Sequence, residues 1–299
     1  MSAIELRAGG TDLSERRRSG LSTGPLKDLA PSPAMTAIAW APDGALRLGA
    51  AVTIAAIAAD QRIGAAYPGL AAAAAGLATP QVRHLATLGG NLAQRSRCWY
   101  YRHPDLDCLK KGGATCPARA GNHLYGVAFD LGPCVAPHPS TMAAALLAYD
   151  GVVTTDRRQG LAIPALLGDG TDGTRDNRLA PGEIIESIAL PPPIAGEKAA
   201  YRRAIGRTHA EWPLAELVAC AAVAGGKVQT LRLAAGGVAP VPLRLAAAEA
   251  TGRGAPATAA TIAAIAERAT EGAKPLAMTA YKLDLLKGLV RDLLGPLIG

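Results

Sequence analysis

The sequence has 299 residues and a formal net charge of +7, and alanine supplies much of its 49% hydrophobic content. This length predicts two or three domains of about 100–200 residues each. The sequence lacks any run of about 18 large apolar residues, which argues against a membrane span. The first residues lack the apolar centre of a signal peptide, which predicts a cytoplasmic protein.

The positive charge has two interpretations. It can be a solvated surface, or it can attract an anion such as a phosphate-bearing cofactor or an acidic partner subunit. The sequence contains no aromatic-interleaved basic patch and no helix-turn-helix pattern, so nucleic acid is not expected as a partner.

The N-terminal part of the chain predicts short strands and helices around two glycine pairs. Residues 6–13 predict a strand that enters a tight turn at Gly9 and Gly10, with Thr11 and Asp12 as candidate helix caps. Residues 14–20 are polar and are expected to be exposed. Further elements are predicted as a strand over 45–50, helices over 54–63 and 67–77, an extended segment over 79–86, and a second tight turn at Gly89 and Gly90.

The C-terminal half predicts a second layer of structure. Residues 95–137 show little periodicity and form a long loop, which in a compact domain is usually functional or disordered. Three consecutive prolines at 191–193 predict a domain boundary. The other predicted elements are helices over 142–149, 245–250, 258–269 and 279–294, and strands over 151–155, 182–190, 199–205, 214–224 and 228–235. The strands and helices from residue 199 onward form an α+β layer.

Four of the five cysteines fall within the long loop, at Cys98, Cys108, Cys116 and Cys134. The intervals between them match neither the paired knuckles of structural zinc nor the runs of ferredoxins. Four clustered thiols in a chain without a signal peptide argue against disulfides. A four-thiolate iron–sulfur cluster, a zinc site and incidental free thiols all stay open on spacing alone.

Three histidines, His103, His123 and His138, interleave with these cysteines and are either substitute ligands or bystanders. The fifth cysteine, Cys220, lies in an apolar run and is predicted to be a core thiol.

The two glycine pairs fit neither the dinucleotide fingerprint nor the P-loop. Backbone N–H groups at glycine-rich turns can nevertheless hold a diphosphate. Thr11, Thr87 and Asn91 add polar groups beside the two turns, which could clamp one dinucleotide from two sides. The alternative is that both are ordinary turns at strand ends.

Several segments together resemble the FAD-binding medium subunit of the molybdenum hydroxylases, the xanthine dehydrogenase and aldehyde oxidoreductase family. The two that carry most of the resemblance are Ala8-Gly9-Gly10-Thr11-Asp12-Leu13 and the segment from Gln81 to Leu92 with Thr87-Leu88-Gly89-Gly90-Asn91 at its centre. Their order and spacing are more specific than either segment alone. The resemblance continues through residues 138–140, 181–192 and 201–203, and covers nearly the whole chain.

The resemblance implies a fold that is α/β plus α+β. A two-lobed FAD-binding domain of the vanillyl-alcohol-oxidase (PCMH-like) type precedes a small C-terminal domain with an antiparallel sheet and helices. The expected divisions are a small lobe over 1–55, a main lobe over 56–193 with the cysteine-rich insertion at 95–137, and a C-terminal domain over 194–299.

The implied function is that of an electron-transfer flavoprotein, an oxidoreductase subunit with no catalytic residue of its own. Its expected partners are a molybdenum-cofactor large subunit, a [2Fe-2S] small subunit and an external electron acceptor. Some family members carry an additional [4Fe-4S] cluster in a loop at this position, so the resemblance assigns Cys98, Cys108, Cys116 and Cys134 as cluster ligands.

The resemblance also implies which residues contact FAD. Backbone N–H groups of both glycine segments would hold the diphosphate, while other residues would lie near the flavin or its ribityl chain. The expected set is Ala8, Gly9, Gly10, Thr11, Asp12, Thr87, Gly89, Gly90, Asn91, Ser140, Thr141, Ile184, Ile185 and Arg203.

The chain departs from the family at four places. It begins close to the first glycine loop, residues 14–18 replace a more apolar stretch, Thr141 replaces a common aspartate, and Arg203 stands where lysine is usual. The early start and Thr141 leave open a flavin-free docking scaffold of such a complex. A second alternative is a flavoprotein whose four cysteines hold structural zinc.

Overall fold

The computed structural model describes residues 4–208 and 210–299, and the strands there form three sheets. The strands are β1 (Glu5–Arg7), β2 (Leu26–Asp28), β3 (Ile38–Trp40), β4 (Leu46–Gly49), β5 (Val152–Thr155), β6 (Leu161–Ala162), β7 (Ile185–Leu190), β8 (Lys198–Ala204), β9 (Ala215–Ala224), β10 (Lys227–Gly236) and β11 (Leu243–Arg244).

The sheets are a parallel pair of β1 and β2, a five-stranded sheet and a four-stranded sheet. The five-stranded sheet has the order β3-β4-β7-β5-β6, and the four-stranded sheet has the order β11-β10-β9-β8. All neighbours in the two larger sheets are antiparallel. The predicted division of the FAD lobes at residue 55 stays a prediction, although β3 and β4 on one side of it pair in a sheet with β7 on the other.

Helices cover the sheets, and one of the predicted caps, Thr53, is confirmed, whereas the candidate Asp12 makes no cap hydrogen bond through its side chain. They are α1 (Leu13–Arg18), α2 (Pro33–Thr36), α3 (Ile54–Ala59), α4 (Gln61–Ala66), α5 (Pro68–Gly76), α6 (Pro80–Leu85), α7 (Leu88–Leu92), α8 (Trp99–Arg102), α9 (Thr141–Ala148), α10 (Ile163–Leu167), α11 (Ala246–Gly252), α12 (Ala259–Arg268) and α13 (Tyr281–Ile298). Thr53 caps α3 as predicted, because its side chain accepts from the Ala56 amide.

Three local predictions were wrong. The segment 79–86 is not extended but contains α6, because Thr79 caps the helix and Pro80 occupies its first position, a combination that favours helix initiation. The second glycine pair lies inside α7 rather than in a tight turn. The predicted helix over 54–63 is divided at Asp60, which ends α3 and caps α4.

The main core lies between the five-stranded sheet and the helices α3, α5 and α9. Every residue of α9 is buried, which its mostly apolar sequence permits. The C-terminal domain packs α11, α12 and α13 against the four-stranded sheet and confirms the α+β prediction. Cys220 is fully buried in β9, as expected of a core thiol. Within residues 4–208 and 210–299, no helix is long and apolar enough to cross a bilayer.

Candidate functional site

The two glycine segments, distant in sequence, line one cleft of about 370 Å³. Ten residues of the predicted site lie on its wall: Ala8, Gly9, Gly10, Thr11, Asp12, Thr87, Gly89, Gly90, Ile184 and Ile185. The structure therefore brings together the loop after β1, the start of α7 and the residues that enter β7.

Glycine is required where these segments approach each other. A Cβ on Gly9 would overlap the Leu85 carbonyl at the end of α6, so the first loop can pack there only without a side chain. Gly10 has a φ of +72°, in the left-handed region that glycine adopts readily. A Cβ on Gly89 would lie 2.9 Å from the Ala50 Cβ, which holds α7 close to the end of β4.

The backbone N–H groups of the first loop are free to bind a ligand. Within the residues that the structure describes, those of Gly9, Gly10 and Thr11 donate to no acceptor. Unpaired N–H groups in residues that line a cleft are available to an acceptor of a ligand. Diphosphate oxygens are acceptors of this kind.

The N–H groups of the second segment are already paired, contrary to the prediction that they would hold the diphosphate. Gly89 donates to the Ala50 carbonyl at 2.8 Å, and Gly90 donates to Thr87 Oγ1 at 3.2 Å. Asn91 donates to the Thr87 carbonyl at 2.8 Å. This segment therefore offers the cleft a close backbone surface, whereas the first loop offers hydrogen-bond donors.

Four residues of the predicted site lie outside the lining of this cleft: Asn91, Ser140, Thr141 and Arg203. The side chain of Ser140 donates to Asn91 Oδ1 at 2.7 Å and also caps α9. Thr141 Oγ1 donates to Glu216 Oε2 at 2.8 Å, and Tyr201 donates to the same oxygen. Their contact with a cofactor stays a prediction, while the structure shows a polar network between α9 and the C-terminal sheet.

The cleft also contains basic residues that the sequence did not assign. Arg7 and Arg16 line it beside the first loop. Arg16 lies in the run predicted to be exposed, but α1 buries most of its side chain against Glu5 and Asp12. The sequence feature that could have identified Arg16 is the run Arg16-Arg17-Arg18 shortly after the glycine loop, because cations beside free amides suit an anionic ligand.

The four loop cysteines converge. Cys98, Cys108, Cys116 and Cys134 all line one small cavity, although they are spread over the long loop. Cys108 and Cys134 are buried, and the other two are partly exposed. The Cys134 thiol donates to the Cys116 sulfur, which lowers the pKa of Cys116 to about 5 and raises that of Cys134. Burial raises the pKa of Cys98.

A single zinc ion and a [4Fe-4S] cluster need different arrangements of the four cysteine sulfurs. A single zinc ion needs four sulfurs at about 2.3 Å from one point. Within residues 4–208 and 210–299, no three His, Cys, Asp or Glu side chains are close enough to hold one ion. A [4Fe-4S] cluster binds each thiolate at a different iron atom, so its ligands surround a larger volume. Four thiols around one cavity supply the number and type of ligands that either group would need.

The three loop histidines do not line this cavity. His123 hydrogen-bonds backbone carbonyls through Nδ1 and accepts from the Met278 amide through Nε2. His138 is buried, and burial lowers its pKa to about 4. His103 accepts from the Asp105 amide. These contacts favour the bystander interpretation.

Comparison with known families finds two matches that together span most of the chain. Residues 2–193 match the model of the FAD binding domain in molybdopterin dehydrogenase. Residues 199–297 match the CO dehydrogenase flavoprotein C-terminal domain.

Two curated proteins of Escherichia coli are among the similar sequences. The aldehyde oxidoreductase FAD-binding subunit PaoB is 34% identical over 259 residues, which cover 84% of this chain and 78% of PaoB. A xanthine dehydrogenase FAD-binding subunit is 25% identical over 313 aligned positions, which cover 98% of this chain and 88% of that protein.

Solved structures share the fold. Carbon monoxide dehydrogenase from Hydrogenophaga pseudoflava, in a form that lacks the Mo-pyranopterin moiety, gives a TM-score of 0.77 at 22% identity and covers 99% of this chain and 90% of the matched chain. Quinoline 2-oxidoreductase from Pseudomonas putida 86 gives 0.75 at 19% identity and covers 99% and 89%.

Proposed function

Because this chain belongs to the family of FAD-binding subunits of the molybdopterin dehydrogenases, we propose that it binds FAD in the cleft between its two glycine segments. The observation that carries this proposal is the set of unpaired N–H groups at Gly9, Gly10 and Thr11 in the wall of that cleft. The group that fits them is the diphosphate, which is anionic and has several acceptor oxygens.

Different residues of the cleft would contact different parts of FAD. The free N–H groups would hold the diphosphate, and Arg7 and Arg16, which pair with Asp28, Glu5 and Asp12, would lie beside it. Gly89 and Gly90 allow α7 to approach closely, and Ile184 and Ile185 provide apolar wall for a ring. Bound FAD would supply a group that accepts and passes on electrons, while the protein fixes its position and surroundings.

We further propose that Cys98, Cys108, Cys116 and Cys134 hold a [4Fe-4S] cluster. Their convergence on one cavity supports a site that can take a group with four thiolate ligands. The cluster would provide a second redox centre in the same subunit, as a relay or as a branch.

The proposed setting is a cytoplasmic complex. Its other members would be a large subunit with the molybdenum cofactor and a small subunit with [2Fe-2S] clusters, and an external acceptor would take the electrons. What supports this setting is the likeness to FAD-binding subunits of aldehyde oxidoreductase and xanthine dehydrogenase, whose names imply further subunits.

The test is the cofactor content of the full chain, purified with any subunits that accompany it. We expect one FAD per chain after denaturation, with bands near about 370 and 450 nm. We also expect iron and acid-labile sulfide in equal amounts beyond those of the small subunit. Zinc without sulfide would contradict the cluster, and a colourless protein would favour the docking scaffold.

A further inference from the structure

Asp12 joins the first glycine loop to the cysteine loop. It stands at the start of α1, but its side chain does not cap the helix. Oδ1 instead lies 2.7 Å from Arg102 Nη2 and 2.9 Å from Arg97 Nη2. Oδ2 accepts from the Arg95 amide at 3.1 Å. The carboxylate of the cleft loop is thus bonded to the segment that surrounds Cys98.

Charge makes this contact strong. Burial alone would raise the pKa of Asp12, but the nearby guanidinium groups of Arg97 and Arg102 outweigh it, and the pKa lies below its usual value. The side chains of Asp12 and Arg102 are only 14% and 12% exposed, so solvent screens the pair less than it would a surface pair. Glu15 on α1 pairs with the same two arginines, at 3.1 Å from Arg97 and 2.5 Å from Arg102.

The two arginines are positioned by the backbone around Cys98. Arg97 precedes it, and the Arg102 amide donates to the Cys98 carbonyl at 2.9 Å. Arg102 Nε donates to the Ser96 carbonyl at 2.8 Å, and the Cys98 amide donates to Ser96 Oγ at 3.2 Å. Any group that fixes Cys98 therefore also fixes the guanidinium groups that hold Asp12.

We propose that Asp12 is a positioning residue that couples the two sites, so that filling the four-cysteine site raises the affinity of the glycine loop for FAD. This inference rests on the proposed function, because it needs both groups to bind. Gly9, Gly10 and Thr11 immediately precede Asp12, so holding the carboxylate restrains the directions of their N–H groups. Coupling of this kind is reciprocal, and bound FAD will also protect the iron from chelators.

The experiment measures the dissociation constant of FAD for the full chain, first with the iron–sulfur site loaded and then after anaerobic removal of iron by a chelator. For the wild type we expect removal of iron to weaken FAD binding about tenfold, within the usual range of coupling between sites. In Asp12→Asn this ratio should fall toward one, because the neutral amide no longer holds both guanidinium groups at the glycine loop. Glu15 still pairs with both arginines, but from α1.

Two further variants separate coupling from damage to the cleft. Arg102→Gln weakens the same link from the cysteine side and leaves the Arg97 contact in place. Arg102 does not line the cleft, so a fall of the ratio toward one would come from the link. Asp28→Asn is the matched control, since Asp28 pairs with Arg7 beside the same loop at 2.5 Å but makes no contact with the cysteine loop. It should keep the wild-type ratio.

The outcomes are distinct. Equal FAD affinity of the loaded and the iron-depleted wild type, with both groups binding, overturns the coupling and leaves the proposed function intact. If Asp12→Asn and Arg102→Gln both keep the wild-type ratio of FAD dissociation constants, Asp12 does not couple the two sites. A chain that binds no FAD or no iron overturns the proposed function, and the coupling with it.

Discussion

Gly9 lies against the carbonyl oxygen of Leu85, with no space between them for a side chain. This contact joins the first glycine loop to the end of α6, two residues before Thr87 caps α7. The two glycine segments are therefore adjacent because one backbone packs directly on the other, and the cleft lies where they meet.

Gly9→Ala should separate these segments. The added methyl group must displace the Leu85 carbonyl, and we expect a loss of about 1–3 kcal/mol of stability together with a large loss of FAD affinity. Denaturant unfolding and FAD titration measure the two effects. Gly64→Ala in α4 is the control, because a Cβ there meets no atom within 4 Å. It should leave FAD affinity unchanged, and an equal loss of affinity in both variants would contradict the role of Gly9.

Gly89 and Gly90 are adjacent but should respond differently to alanine. A Cβ on Gly89 meets Ala50, whereas one on Gly90 meets only the Oγ1 of Thr87, at 2.9 Å. We expect Gly89→Ala to lower stability by about 1–3 kcal/mol through overpacking. Gly90→Ala should change stability by less than about 1 kcal/mol and should weaken FAD binding, because Gly90 is exposed in the cleft wall. The reverse order of stability effects would show that α7 packs differently.

Cys116→Ser should remove or alter the iron–sulfur site. A hydroxyl is a poor substitute for a thiolate ligand, and Cys116 is partly exposed, so the fold should tolerate the change. We expect loss of at least one iron per chain by metal analysis, with a changed electron paramagnetic resonance signal of the reduced protein. Cys220→Ala is the control, since Cys220 is buried in β9 away from the loop cysteines. Unchanged iron in Cys116→Ser would remove this residue from the ligand set.

Lys282 should make stability depend on pH. Its Nζ donates to the carbonyls of Gly237 at 2.8 Å and Tyr125 at 3.3 Å, and burial lowers its pKa to about 7. A lysine in the unfolded chain titrates near about 10.4, so between these values the unfolded chain binds a proton that the folded chain does not. Stability from this residue is therefore fully present above about 10.4 and is lost as the pH falls through about 7.

The measurement is denaturant unfolding of the wild type and Lys282→Met at pH 7 and pH 9. From pH 7 to pH 9, Lys282 should raise the free energy of unfolding by on the order of 2 kcal/mol, and methionine cannot provide this gain. Other titrating groups act on both proteins, so the difference between their gains isolates Lys282. Equal gains would contradict the buried, neutral state of this lysine.

Local sequence patterns were sufficient for the C-terminal domain. The strands predicted over 214–224 and 228–235 agree with β9 and β10 to within one residue at each end, and Thr258 begins α12 as a cap. Around the site, the prediction of 79–86 as extended gave too little weight to Thr79 and Pro80, which together initiate a helix.

Ten of the predicted site residues line one cleft, but which of their backbone groups are free for a ligand was not predictable. The glycine segments converge as expected, yet which N–H groups stay free depends on partners such as the Ala50 carbonyl, which only the folded chain supplies. The burial of Ser140 and Thr141 likewise follows from the packing of α9 against the C-terminal sheet. No local pattern predicts such long-range contacts.

Hydrogen exchange of the backbone N–H groups, followed by mass spectrometry with and without FAD, tests the central claim most directly. The account predicts that peptides covering residues 8–12 exchange rapidly in the free protein and become protected when FAD binds. Peptides covering 88–91 should be protected in both states, because their N–H groups are already paired within the chain. Saturating FAD that leaves the exchange of 8–12 unchanged would contradict the claim that this loop holds the diphosphate.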